Sequence, residues 1–138
     1  MLMQSWLSAS LIALLVFGLW GFFPKLAVQY IAPPSALFWE VIGAALVGAG
    51  ILVSLHGRPE MHPKGVLFGL LTGIAGMIGT LFFFTAARHG KIALVVSITA
   101  LYPIITILLA WLFLDEQLSA RQFCGMFSAL LAIYLLSS

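Results

Sequence analysis

The chain has 138 residues, of which 63% are hydrophobic and only 7% are charged, and its formal net charge is +2. Because a soluble domain carries about 25% charged residues, this composition excludes a water-soluble domain and indicates an integral membrane protein. The few basic residues are scattered along the chain, which excludes the basic stripe of a nucleic-acid interface. Cys124 is the single cysteine, so an internal disulfide is also excluded.

Five apolar stretches are long enough to cross a bilayer, whose hydrocarbon core requires about 20 apolar residues in a helix. The predicted helices cover residues 6–30, 34–55, 64–87, 91–114 and 120–136. Helices are predicted because backbone polar groups in lipid must pair within their own segment. Residues 1–138 are therefore predicted to form a single all-α transmembrane domain.

Residues that favour helix ends lie at the predicted boundaries. Pro34 and Pro63 suit the first turn of a helix, where the missing N–H is not needed. Gly57 and Gly90 follow predicted helices, at positions where a left-handed residue can close the helix. The segment 119–122 reads as a capping box, with Ser at its start and Gln three residues later. The connections are short, so consecutive helices are predicted to be antiparallel neighbours.

The basic residues divide evenly between the two sides that five spans create. One side receives Arg58, Lys64 and Arg121, and the other receives Lys25, Arg88 and Lys91. Orientation in a membrane follows the excess of Lys and Arg on one side, and here there is no excess. The sequence leaves open two readings, insertion in both orientations or a single orientation set by the insertion machinery or by span hydrophobicity.

Small residues recur at steps of three and four along the third predicted helix and so share one face. They are Gly65, Gly69, Thr72, Gly73, Gly76, Gly79 and Thr80, followed by Phe83. Small residues allow helix backbones to approach closely in lipid, so this stripe is interpreted as a packing surface rather than a binding site. Gly125 and Ala129 form a shorter pair of the same kind on the fifth helix and are a candidate dimer contact.

Two prolines lie inside predicted spans. Pro24 frees the carbonyl of Trp20, and Pro103 frees the carbonyl of Thr99, four residues earlier in each case. Freed carbonyls in a membrane are tolerated where they face protein or a water-filled cavity. Each proline is interpreted either as a structural kink or as a hinge that lines a central cavity.

Glu40 is a carboxylate inside the second span, about 9 Å below the start of that helix at 1.5 Å per residue. A charge at the middle of a span costs about 2.5–3.5 kcal/mol, and less at this depth. Its neighbours on the same helix face are Gly43, Ala44 and Gly48, so Glu40 is predicted to point toward other helices or a cavity.

Lys25 is predicted to lie at a depth similar to that of Glu40, because the first two helices meet at residues 31–33. The two residues are expected to form a buried ion pair, or Lys25 extends to the interface and leaves Glu40 to bind a cation or exchange protons. In a third interpretation, binding of the substrate breaks the ion pair between Lys25 and Glu40, which would couple binding to a conformational change.

Other chemistry is poorly supported by the sequence. The loop that carries His56, Glu60 and His62 lacks obvious metal-site geometry and is read as a solvated loop. No pairing of a nucleophile with a base and no phosphate-binding glycine loop is apparent. No metal, no cofactor and no enzymatic activity is therefore predicted.

Two segments resemble EamA-type repeats of the drug/metabolite transporter superfamily. LWGFFPKLAVQYIAPPSALFWE is similar to the first two helices of such a repeat. AARHGKIALVVSITALYPIITILLAWLFLDEQLSARQFCGMFSALLAIYL is similar to its last helices. The matching elements in the second segment are the turn 88–90, Leu101-Tyr102-Pro103, Phe113-Leu114-Asp115-Glu116 and Gly125.

This resemblance implies a stand-alone five-helix repeat, whereas most members of the superfamily have ten helices made of two inverted repeats. It implies a secondary transporter of a small solute in the cytoplasmic membrane of a prokaryote, completed by an inverted second copy or a different single-repeat partner. Residues expected to line or gate the cavity are Glu40, Lys25, Trp20, Tyr102 and Thr99, with Pro24 and Pro103 as hinges. The competing reading is a non-transport membrane subunit.

Glu40 departs from the pattern of many ten-helix members, in which the matching position tends to carry Arg. The acidic residue argues against an anionic substrate and favours a cationic or amine-bearing solute, or coupling to protons.

Overall fold

The computed structural model describes residues 2–114 and 119–137, with side chains for 6–114 and 119–135. It contains six helices: α1 Leu2–Tyr30, α2 Pro33–Ser54, α3 Pro63–His89, α4 Ile92–Thr99, α5 Tyr102–Phe113 and α6 Ala120–Ser137. Asp115 and Glu116, which belong to the resemblance given above, lie outside the described residues.

Four helical segments are long and apolar enough to cross a membrane, namely Trp6–Tyr30, Pro33–Ser54, Pro63–His89 and Ile92–Phe113. The fifth predicted span corresponds to a shorter apolar helix, Ala120–Leu135. An all-helical membrane architecture is therefore confirmed, with four helices of spanning length and one shorter helix in the part of the chain that the structure describes.

The fourth predicted span is interrupted, where the sequence indicated one continuous helix over residues 91–114. α4 ends at Thr99, and α5 begins at Tyr102 with Pro103 in its first turn. Pro103 has no N–H to donate to Thr99, and its ring clashes with that carbonyl, so a helix breaks readily here. Pro24, in contrast, lies inside an uninterrupted α1.

The capping box and the left-handed end of α2 are present in the structure, whereas Gly90 is not among the described residues that have a positive φ. The backbone N–H of Ser119 donates to Gln122 Oε1 at 2.7 Å, and the N–H of Gln122 donates to Ser119 Oγ at 3.3 Å, which confirms the capping box. At the end of α2, His56 and Gly57 both adopt left-handed backbone angles, with φ of 53° and 70°. The N–H of Gly57 donates to the carbonyl of Leu52 at 2.9 Å, as in a Schellman motif.

Helices α1, α2 and α3 form one compact unit, and α4, α5 and α6 form a second. In the first unit, α3 packs against both α1 and α2. The buried residues of this unit are Pro24 and Val28 on α1, Pro33 and Ala36 on α2, and Thr80, Phe83, Phe84 and Ala87 on α3. They lie in the last turns of α1 and α3 and the first turn of α2, so the tight packing is concentrated at one end of the unit.

The second unit is built on contacts between α4 and α6. Val95 on α4 is its buried residue among those that the structure describes. An apolar concavity of about 390 Å³ lies along α5, lined by Thr106, Leu109, Ala110, Phe113 and Leu114.

Candidate functional site

Glu40 is held in place by a tryptophan from the neighbouring helix. Its Oε1 accepts a hydrogen bond from the indole Nε1–H of Trp20 at 2.8 Å, which joins α2 to α1. This length is typical of an N–H···O hydrogen bond. The carboxyl group is therefore oriented by the protein and points toward α1, as the small residues on its helix face indicated.

Trp20 also contacts the third helix of the unit. Its ring centroid lies 5.2 Å from that of Phe83, with the planes tilted by 31°, a geometry typical of favourable aromatic pairs. Phe83 is only 6% exposed, whereas Trp20 remains 38% exposed. The indole of Trp20 on α1 thus contacts α2 through its N–H and α3 through its ring.

The second carboxyl oxygen of Glu40 is excluded from the surface and has no hydrogen-bond partner among the described residues. Leaving a buried polar atom unpaired costs about 1–3 kcal/mol, and more when it is charged. An ionisable side chain inside a membrane span is by default a candidate functional residue. Chemically, it is suited to take up a proton or to accept a hydrogen bond from a cationic group.

Lys25 makes a polar contact with α3. Its Nζ donates to the backbone carbonyl of Ala87 in α3 at 2.8 Å. Ala87 is fully buried, at 0% exposure, and Lys25 itself is half-buried. Lys25 therefore does not satisfy the second oxygen of Glu40, although both residues belong to the same end of the first unit.

Thr99 and Tyr102, the other predicted site residues, belong to the second unit. The hydroxyl of Thr99 donates to the carbonyl of Val95 at 2.9 Å, so it returns to the backbone of its own helix. Tyr102 is exposed at the start of α5, beside Pro103. That these residues and Glu40 line one cavity stays a prediction.

The glycine stripe is an open face along most of α3. A Cβ added at Gly69, Gly73, Gly76 or Gly79 would meet no atom within 4 Å, and at Gly65 it would meet only the Cβ of His62, at 3.8 Å. The same face continues into Thr80, Phe83 and Ala87, which are buried. Close packing thus occupies only the carboxyl-terminal part of this face. Gly125 on α6 is similarly open, and the role of both surfaces in pairing stays a prediction.

Sequence reasoning missed two contacts of this site. Phe83 was recognised only as a packing residue, although it supports the indole of Trp20. The partner of Lys25 is a backbone carbonyl, which no side-chain pattern reveals. The freed carbonyl of Trp20, caused by Pro24, was the signal that marked this turn of α1 as unusual.

Replacing Trp20 with Phe is expected to lower the free energy of unfolding by about 1–3 kcal/mol, because Glu40 loses its donor while the aromatic contact with Phe83 is largely kept. Thermal unfolding of the purified protein in detergent measures this effect. Trp39→Phe is the matched control, since Trp39 lies on α2 and is 62% exposed. Equal losses in the two variants would contradict a structural role for the bond between Trp20 and Glu40.

Comparison with known proteins places this arrangement in a family. The profile of the EamA-like transporter family matches residues 4–138. An uncharacterized protein of Methanocaldococcus jannaschii is 27% identical over 136 residues, covering 94% of this chain and 96% of that protein. No solved structure matches the chain significantly.

Two longer relatives carry transporter names. The uncharacterized transporter YyaM of Bacillus subtilis is 27% identical over 113 residues, covering 80% of this chain and 37% of that protein. The glucose uptake protein GlcU of Staphylococcus xylosus is 32% identical over 99 residues, covering 72% of this chain and 33% of that protein. The chain spans about a third of the length of these two relatives. With its all-helical architecture and a match over nearly its whole length, the protein belongs to the EamA-like transporter family.

Proposed function

We propose that this protein is a secondary active transporter that moves a small solute across the cytoplasmic membrane of a prokaryote by alternating access. The observation that carries the proposal is the second oxygen of Glu40, which is buried and has no hydrogen-bond partner among the residues that the structure describes. A carboxyl group inside a span destabilises insertion, so its retention favours a role in moving ions or solute.

Glu40 is the coupling residue in this proposal. The ammonium of Lys25 donates to the carbonyl of Ala87, and no residue in the described part of the chain donates to the second oxygen of Glu40. In this proposal the positive group that satisfies this oxygen is a proton or the amine of a solute. Trp20 holds the other oxygen, which keeps the carboxyl group oriented while its second oxygen is loaded and unloaded.

A second copy, inserted upside down, completes the transporter. Members of many transporter folds contain two repeats of inverted topology that enclose a site near the midplane of the bilayer. The chain aligns with about a third of each longer relative and with 96% of the Methanocaldococcus jannaschii protein, so that protein is of similar length to this chain. The even division of basic residues permits both orientations.

Solute class and partner are the open choices within this proposal. Glu40 favours a cationic or amine-bearing solute, whereas the name of GlcU refers to glucose, a neutral sugar. A different single-repeat chain is the alternative partner to a second copy. The open glycine face of α3 also suits a non-transport subunit that assembles a larger membrane complex.

Reconstitution of the purified chain alone into proteoliposomes tests the proposal. With an imposed pH gradient, we expect uptake of at least one compound from a panel of small amines and neutral sugars, and we expect a protonophore to abolish that uptake. Uptake that appears only after a second, different chain is added would identify a heteromeric transporter. A panel of both classes that yields no uptake under either condition would favour the non-transport subunit.

A further inference from the structure

We infer that Lys25 is a positioning residue that closes the carboxyl end of α3 and fastens it to α1. The inference does not depend on the transport proposal, since it concerns only the contacts within the first unit. It also gives a role to Lys25, a charged residue in an apolar span that does not donate to the second oxygen of Glu40.

The contact itself is long-range and well formed. The Nζ of Lys25 lies 2.8 Å from the carbonyl oxygen of Ala87, and the two residues are separated by 62 positions in the chain. Lys25 belongs to the stretch of α1 that holds the buried residues Pro24 and Val28. The lysine therefore reaches its acceptor from within the tightly packed end of the unit.

The acceptor is a group that α3 cannot satisfy by itself. A helix carbonyl accepts from the amide four residues later, and for Ala87 that amide belongs to residue 91, beyond the end of α3 at His89. Ala87 is fully buried, so bulk water does not reach this carbonyl. In a membrane a backbone carbonyl without a partner is strongly unfavourable, and Lys25 supplies a donor to this one.

Charge makes lysine well suited to this place. The carboxyl end of a helix carries a partial negative charge, so a cation bound there is stabilised in addition to its hydrogen bond. Arg88 and His89 are basic and lie in the last turn of α3, but both are exposed at the surface of the described chain. The buried carbonyl of Ala87 thus accepts its hydrogen bond from Lys25 of α1, and this bond links α1 to α3.

Hydrogen exchange of the purified protein, followed by mass spectrometry without any solute, tests this role. The variants are Lys25→Met, which removes donor and charge, Lys25→Gln, which keeps a neutral donor, and Lys25→Arg, which keeps both. Lys64→Met is the matched control, because Lys64 is exposed at the opposite end of α3. Peptides covering residues 80–91 and 33–54 report separately on the end of α3 and on α2.

We expect Lys25→Met to raise exchange at the end of α3 by roughly five- to thirtyfold, the range for loss of a partly buried cation at a helix terminus. Lys25→Arg should restore protection and Lys25→Gln should give an intermediate rate, while Lys64→Met matches the wild type. If Lys25→Met does not fold, the exchange rates at the end of α3 in Lys25→Gln and Lys25→Arg are compared instead, and Lys25→Gln should exchange faster. Unchanged exchange at the end of α3, or an equal rise in α2, would overturn the assignment.

Discussion

Replacing Glu40 with Gln is expected to reduce proton-driven uptake into proteoliposomes by at least about a hundredfold, the lower end of what a positioned proton-transfer group contributes, because glutamine can neither take up nor release a proton. The glutamine amide oxygen can still accept the hydrogen bond from Trp20, so the packing of α1, α2 and α3 is retained. The change therefore removes the exchangeable proton and the negative charge, but not the contact that orients the side chain.

Glu60→Gln is the matched control for this experiment, since it makes the same chemical change in the exposed loop between α2 and α3. Thermal unfolding in detergent should give similar midpoints for the wild type and both variants. Glu40 would lose its assigned role if the Glu40→Gln protein transported at the wild-type rate with an unchanged pH dependence.

Replacing Gly76 with Leu is expected to weaken pairing between chains by roughly five- to hundredfold, because forcing a larger side chain into a packed contact costs about 1–3 kcal/mol. Gly76 lies at the centre of the open face of α3, and a Cβ there meets no atom within 4 Å. A leucine can therefore be accommodated within one chain, whereas it prevents two helix backbones from approaching closely.

Ile74→Phe is the control on the same helix, since Ile74 is 57% exposed and lies about 160° around the helix from Gly76 at about 100° per residue. Association in lipid is measured by energy transfer between labelled chains over a range of protein-to-lipid ratios. If Gly76→Leu and Ile74→Phe chains associate equally well, the glycine face does not form the contact between copies.

Much of the helical framework follows from the sequence because its physical cause is local. Apolar length determines which segments suit a membrane, and four of the five predicted spans correspond to helical segments of spanning length, while the fifth corresponds to a shorter helix. The capping box at Ser119 and Gln122 depends only on residues three apart, so it too is visible in the sequence. The break before Pro103 is different, because a proline predicts a weakened helix but not whether the surroundings keep it continuous.

The site was only partly accessible from sequence for a related reason. Glu40 is conspicuous because a carboxylate in an apolar span requires an explanation. Its partner Trp20 is 20 residues away on another helix, and that pairing depends on how α1 and α2 cross. Lys25 looked like the natural partner of Glu40 because both charges lie at a similar depth. A backbone carbonyl at a helix end competes for the same ammonium, and only the packing of α3 reveals it.

The central claim, that two copies insert in opposite orientations to form one transporter, is tested most directly by mapping orientation in native membranes. A single cysteine replaces Met61, an exposed loop residue, in a Cys124→Ser background. A membrane-impermeant thiol reagent is then applied to right-side-out and to inverted vesicles. With no charge bias between the two sides, we expect about half of the chains to be labelled in each preparation. Labelling of nearly all chains in one preparation and almost none in the other would contradict the antiparallel homodimer.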